Sequence, residues 1–244
     1  DGCELQGDDE LFDRIIESIA FQRRWQRESG LIDLIQIDWD DPTTTAWTVN
    51  QFAPMVECAR RLSNGTDGER CGRIAEELGE YVRSATKSVI GGGFHTPNHR
   101  WVLSSGISYG MALFPEIDGL DFVESILAET IDMNADGEYS ERSIGWYDGV
   151  CNSAMRTMAD CLNRPELLDY VRRSLNMVLA LLHPDNTVVT SFSKRGDSAL
   201  RLVPAMSAET FYDMSQRDGN GVYASAADML VTGDYNPGLC VAFL

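Results

Sequence analysis

A chain of 244 residues that is 43% hydrophobic and 9% aromatic can bury a sizeable core as one domain or two small ones, and is too apolar for a disordered segment. Its net charge of −18 works against nucleic acid, whose phosphates an acidic surface repels. The longest apolar run, residues 177–182, falls far short of a transmembrane span, so no membrane partner is expected.

Apolar residues recur at helical spacing along most of the chain. Leu11, Ile15, Ile16 and Ile19 mark a first helix, which Asp8 or Asp9 can cap. A second begins near Thr44 or Thr45 and carries Val49, Phe52, Val56, Ala59 and Leu62 as far as the turn at 63–68. The third runs over about 70–90, with Ile74, Leu78, Tyr81 and Val82 inward, until Gly91-Gly92-Gly93 stops it. The fourth is expected over 101–113 and the fifth over 122–131. A sixth starts near Ser143 and carries Val150, Ala154, Met158 and Leu162. Pro165 suits the first turn of a seventh, which includes Leu168, Val171, Leu175, Val178 and Leu182. The β-branched run 188–192 reads as a short strand, and weaker helical patterns follow at 208–215 and 222–230.

Helices of this length joined by short polar turns indicate an all-α domain of stacked hairpins. No exact repeat supports a regular array, and an incomplete α/α toroid of antiparallel helical hairpins fits better. The chain opens on Asp1 without a signal peptide and ends on the apolar run 238–244, so it reads as a piece of a longer protein. Residues 1–235 form the expected toroid and 236–244 the start of a linker or of a β-rich domain. Six scattered cysteines, Cys3, Cys58, Cys71, Cys151, Cys161 and Cys240, form no C-x-x-C pair and no zinc pattern. Free thiols and a reducing, cytoplasmic compartment follow from that spacing.

Two polar clusters stand at the mouths of helices. One is Thr96-Pro97-Asn98-His99-Arg100-Trp101; the other is Asp136-Gly137-Glu138-Tyr139-Ser140-Glu141-Arg142-Ser143, closing on Trp146-Tyr147. They gather an amide, an imidazole, two phenols and two guanidiniums, an inventory suited to proton abstraction beside a carboxylate. Each residue also has a plainer reading: Asn98 as the cap of a helix starting at His99, His99 as a structural histidine, Tyr147 as core. His95 has the reading of a loop residue, and Glu141 that of a first-turn carboxylate. Asp132, Asn134, Asp136 and Gly137 open like a calcium loop, but the twelfth position is Ser143 rather than Glu.

With Ser29-Gly30-Leu31-Ile32-Asp33-Leu34 and Ser191-Phe192-Ser193-Lys194-Arg195, these clusters resemble the toroid domain of heparinase II/III-type polysaccharide lyases. The resemblance runs from about Leu11 to Leu230 and implies a toroid followed by a β-sandwich. It implies β-elimination of an anionic uronic-acid polysaccharide or oligosaccharide without a cofactor, in a family where secreted or periplasmic placement also occurs. Asn98 and His99 would neutralise the substrate carboxylate, and Tyr147 would carry the proton as base, as acid, or as both. Arg100, Tyr139, Arg142, Lys194 and Arg195 would line the substrate cleft, as a local basic patch offsetting the global charge. A further catalytic residue would come from outside this region. The alternatives are a toroid glycoside hydrolase, with Glu138, Glu141 and Asp148 as its candidate carboxyl groups, and a non-catalytic carbohydrate-binding domain.

Overall fold

The structure, a computed structural model, describes residues 7–34 and 39–231. Its fold is all-α. The helices are α1 (Asp9–Trp25), α2 (Pro42–Leu62), α3 (Gly68–Val89), α4 (Pro97–Leu113), α5 (Leu120–Ala128), α6 (Tyr147–Cys161), α7 (Leu168–Ala180), α8 (Ala208–Asp218) and α9 (Gly221–Leu230). A two-residue antiparallel pairing, β1 (Ile32–Asp33) with β2 (Asp40–Asp41), precedes α2. No described helix is long and apolar enough to cross a membrane. The expected linker at 236–244 lies outside the described residues.

Capping chemistry sets the helix starts. The Asp8 carboxylate accepts the Leu11 N–H at 2.8 Å and opens α1. Asp41 accepts the Thr44 N–H at 2.7 Å with Pro42 in the first turn, so α2 starts two residues before the apolar pattern does. By the same logic Pro97 opens α4 and Thr96 is its N-cap. Asn98 therefore lies inside the first turn, which removes its reading as a cap. Helix α6 starts at Tyr147 rather than near Ser143, because 143–146 is held as a turn. The expected strand at 188–192 is absent. Val188 donates to Leu202 O while Val189 donates to Leu181 O, so neighbouring residues turn to different segments and no continuous ladder forms.

Cross-helix bonds fix the directions. Asn50 of α2 donates to Val102 O at 2.9 Å and accepts from Ser105 at 2.8 Å, Glu57 accepts the Tyr109 hydroxyl at 2.7 Å, and Arg60 reaches Leu113 O at 3.1 Å. Partners advance together, so α2 and α4 run parallel. Arg156 pairs with Glu209 and Asp213 and Asp160 with Arg217, so α6 and α8 run parallel as well. Helix α3 runs against α2: the Thr48 and Tyr81 hydroxyls meet at 2.7 Å, Gly79 faces Val56 and Gly92 faces Pro42. Helices α2, α4, α6 and α8 line one large cleft. Helices α3, α5, α7 and α9 pack on them and contribute nothing to its lining.

Helix α4 is the spine. Trp101 through Ser108 are all buried, because α4 meets helices on both sides. One core cluster joins α4 to α6–α9 through Trp101, Leu103, Ile107, Met155, Met158, Leu175 and Phe211. The other joins α1–α3 through Ile19, Val49, Val56, Leu78, Tyr81 and Val82 and is closed by Phe114 and Ile117. Small residues allow the close approach: a Cβ at Gly110 would lie 2.2 Å from the Thr86 hydroxyl oxygen and 2.7 Å from its Cβ. Gly110→Ala is therefore expected to destabilise the fold by about 1–3 kcal/mol in urea unfolding, with Thr86→Ala recovering part of the loss.

Candidate active site

The N-terminal mouth of α4 is organised by a buried carboxylate. The Glu141 side chain has no exposed surface and accepts the Asn98 backbone N–H at 2.8 Å. Its other oxygen lies 2.8 Å from Arg195 Nη1, an ion pair without hydrogen-bond geometry. An anion at a helix N-terminus satisfies one of the orphan N–H groups and meets the positive end of the helix dipole. The bond fixes the Asn98 backbone while its side chain finds little: Oδ1 lies 3.4 Å from the Thr96 hydroxyl, and the buried Nδ2 has no hydrogen-bond partner.

Tyr147 is brought to the same mouth by Asp197. This buried carboxylate accepts the Ser143 hydroxyl at 2.9 Å, the Gly145 N–H at 3.0 Å and the Ser193 hydroxyl at 3.0 Å. A further bond, Lys194 N–H to Arg142 O at 2.8 Å, ties the 190–197 loop to the turn before α6. Arg195 consequently lies on the Tyr147 ring, its guanidinium carbon 5.1 Å from the centroid.

His99 faces both sides of this assembly. Its ring meets His95 edge-on at 5.5 Å, and His95 Nε2 lies 3.3 Å from Asp41 Oδ1. Burial lowers the His99 pKa to about 4; His95 and Arg195 push in the same direction and Asp41 opposes them. At neutral pH His99 is an uncharged imidazole, with one donor and one acceptor nitrogen and a buried Nδ1 that has no partner.

Of the residues singled out in the sequence, Asn98, His99, Tyr147 and Arg195 come together. Lys194 is exposed and makes no ion pair among the described residues. Arg142 is drawn 3.0 Å from Glu138 on its own turn. Two expected cleft residues lie elsewhere. Tyr139 is fully buried and donates to Asn152 Oδ1 at 3.0 Å, an apolar ring with one satisfied hydroxyl in the core. Arg100 folds back over Trp101 and pairs with Glu129 at 3.2 Å and Asp132 at 3.1 Å. The calcium-like segment is likewise occupied by its own chain: Asp132 accepts the Trp101 indole N–H at 2.8 Å, and Asn134 accepts the N–H groups of Asp136 and Glu138 at 3.0 Å. Asp41 and Asp197 escaped the sequence reading as site members, and Glu141 entered it only as a first-turn carboxylate or a hydrolase candidate. The Asp41-Pro42 pair signals a helix start, but nothing local signals its contact with His95, 54 residues away.

The expected basic patch does not form, because Arg100, Arg142 and Arg195 each face a carboxylate. The cleft among α2, α4, α6 and α8 has a volume of about 1140 Å³ and is balanced in charge, with four arginines and four acidic residues in its lining; Asn98, His99, Tyr147 and Arg195 are not part of that lining. Comparison with protein-family models, with curated proteins and with solved structures gives no match.

Behind Tyr147, Asp148 is fully buried with neither carboxyl oxygen hydrogen-bonded. Burial foremost raises its pKa to about 8; the nearby Ser143 backbone opposes this, short of a well-formed hydrogen bond, and the negative charges of Asp197, Glu138 and Glu141 add to it. The sign follows: an unfolded Asp releases its proton near ~4 while the folded one holds it, so the contribution of Asp148 is intact below that value and is lost as pH rises towards ~8. Asp148→Asn is expected to be more stable than the wild type at about pH 8 and nearly equal to it at about pH 4, as read by urea unfolding at the two values. An equal difference at both would show that Asp148 is ionised throughout.

Proposed function

We propose that the protein is a carbon–oxygen lyase that cleaves a uronic-acid polysaccharide or oligosaccharide by β-elimination, on an incomplete α/α toroid. The parallel row α2, α4, α6, α8 around one cleft, with a second set of helices packed on it, supports the toroid. The observation that carries the activity is the pair of orphaned buried nitrogens, Asn98 Nδ2 and His99 Nδ1, in one helical turn that Glu141 and Arg195 connect to Tyr147. Leaving a buried polar group unpaired costs about 1–3 kcal/mol, and such a group calls for a ligand that completes it.

A substrate carboxylate is such a ligand. The Asn98 amide donates to it directly, and the neutral His99 donates from its protonated nitrogen. Hydrogen-bonded in this way, the carboxylate accepts the charge that develops when the neighbouring C5–H proton is removed. Tyr147 takes that proton, the C–H electron pair becomes the C4=C5 double bond, and the C4–O bond to the departing sugar breaks. Arg195 lies on the Tyr147 ring, 5.1 Å from its centroid, while pairing with Glu141, and so places a guanidinium beside the proposed base.

The hydrolase alternative finds less support. It needs two carboxyl groups facing the scissile bond. Glu141 is held by Asn98 and Arg195 and Glu138 by Arg142, which leaves Asp148, as fully buried as Asn98, as a single carboxyl where two are needed. A non-catalytic carbohydrate-binding domain would keep the cleft but has no use for Tyr147.

Ultraviolet absorbance of the unsaturated uronide separates the three on a panel of glucuronate-, guluronate- and mannuronate-containing oligosaccharides. Absorbance should rise with the wild type and fall by about 10²–10⁴-fold in rate with Tyr147→Phe. New reducing ends without absorbance would indicate hydrolysis, and binding without either would leave the third reading. Asn98→Ala should lose turnover comparably while its unfolding free energy stays within about 1 kcal/mol of wild type, because the amide removed is an unpaired one. A large stability loss with activity retained would return Asn98 to a structural role.

A further inference from the structure

An elimination moves two protons, one off the carbon beside the carboxylate and one onto the departing oxygen. Tyr147 accounts for the first, and the family that the sequence resembles draws a second carrier from outside this region. The loop before α4 holds a candidate inside it. The His95 side chain is 59% exposed, so a substrate at the mouth can reach it, whereas its partner Asp41 is 3% exposed. Asp41 is held from three directions: the Thr44 N–H at 2.7 Å, the Thr44 hydroxyl, and His95 Nε2 at 3.3 Å. Burial would raise the Asp41 carboxyl, but the Thr44 and His95 contacts more than offset it and hold it below its ordinary value, so it is an ionised acceptor. A buried carboxylate on one ring nitrogen fixes the tautomer and orientation of an imidazole and leaves the other nitrogen to act.

The contacts run in sequence across the mouth: Asp41 to His95, His95 to His99, His99 within the field of Arg195, and Arg195 on Tyr147. The carboxylate-neutralising residue thus stands between two groups able to carry a proton.

We infer that His95, oriented by Asp41, is the acid that protonates the departing sugar oxygen, so that both proton carriers of the elimination lie in this chain; this rests on the elimination reading above. In the step, Tyr147 as phenolate accepts the C5 proton and the C–H electrons form C4=C5. The C4–O bond breaks, and its oxygen takes the Nδ1 proton of the His95 imidazolium, whose Nε2–H stays on Asp41. The products are the unsaturated uronide and the free hydroxyl of the departing sugar. Tyr147 then returns its proton to solvent and His95 takes one up.

The test follows His95→Gln, Asp41→Asn, Tyr147→Phe and wild type on the same oligosaccharide panel in deuterated water. Ultraviolet absorbance reads product, and proton resonance reads exchange at C5. His95→Gln should lose product formation by about 10²-fold or more and still exchange the C5 proton, because the base and the carboxylate pair remain. A substrate carrying fluoride at C4, a leaving group that needs no acid, should restore most of its rate. Asp41→Asn, which keeps the helix cap, should lower kcat with KM unchanged and recover on the same fluoride. Tyr147→Phe should lose exchange and product on both substrates.

Full activity of His95→Gln, or loss of exchange together with product, would overturn the assignment and leave the elimination reading standing. A wild type that forms neither product nor exchange would remove the elimination reading and this inference with it.

Discussion

The mouth of this protein depends on a single buried carboxylate. Withdrawing Glu141 from water costs several kcal/mol unless charges and donors surround it. Here the compensation comes from the Asn98 N–H at the start of α4 and from the Arg195 guanidinium. These partners belong to segments far apart in the sequence, so satisfying one side chain fixes α4, the turn before α6 and the 190–197 loop relative to one another. Asp197 repeats the device one layer behind, using three donors from two of the same segments. The positions of Tyr147 and Arg195 follow from these two acids rather than from any property of their own.

That dependence explains what could be read from the sequence. Helical spacing located the helices because burial of one face is a local, periodic demand. Asp8, Pro165 and the glycines after α3 marked ends with a short-range mechanism. The errors lie where a distant partner decides. The 188–192 run is β-branched enough for a strand, yet its neighbours Leu202 and Leu181 lie on different segments. Tyr139 and Tyr147 look alike in sequence; a core of Asn152 and Ser174 claims one hydroxyl, and Arg195 lies on the other ring. The arginines were legible as charges, but whether an arginine is available depends on carboxylates such as Asp132 and Glu138 that only the fold brings to it. Helix α4 carries too many serines and glycines for an apolar stripe, and its burial reflects neighbours on both sides.

If the protein takes an anionic sugar, as proposed, a chain of charge −18 has to do so without a field of free cations. Long-range repulsion is limited by screening, which reduces it within about 8 Å at physiological salt. What remains is the local problem, and in the proposed reading the neutral Asn98 amide and His99 imidazole would meet it through dipoles. Neutral donors differ from a guanidinium in one respect that matters for elimination. A strong ion pair stabilises the ground-state carboxylate about as well as the transition state, and equal stabilisation of both leaves the chemical step no faster. Fixed dipoles that strengthen as negative charge accumulates on the carboxylate favour the transition state selectively.

Such dipoles must be in place before the substrate arrives, and the fold carries the consequence. Asn98 Nδ2 and His99 Nδ1 are buried and unpaired in the unliganded protein, at a cost of about 1–3 kcal/mol for each such group. Against that stands the packing of α4, whose Trp101, Leu103 and Ile107 are fully buried a few residues further on. Burial of large apolar side chains contributes about 1.5–3 kcal/mol each, enough to hold the first turn of α4 in place although its polar groups are not all satisfied. The unsatisfied end and the stable middle of α4 are thus one arrangement: the spine that gives the fold its two cores also holds two unpaired nitrogens at the mouth.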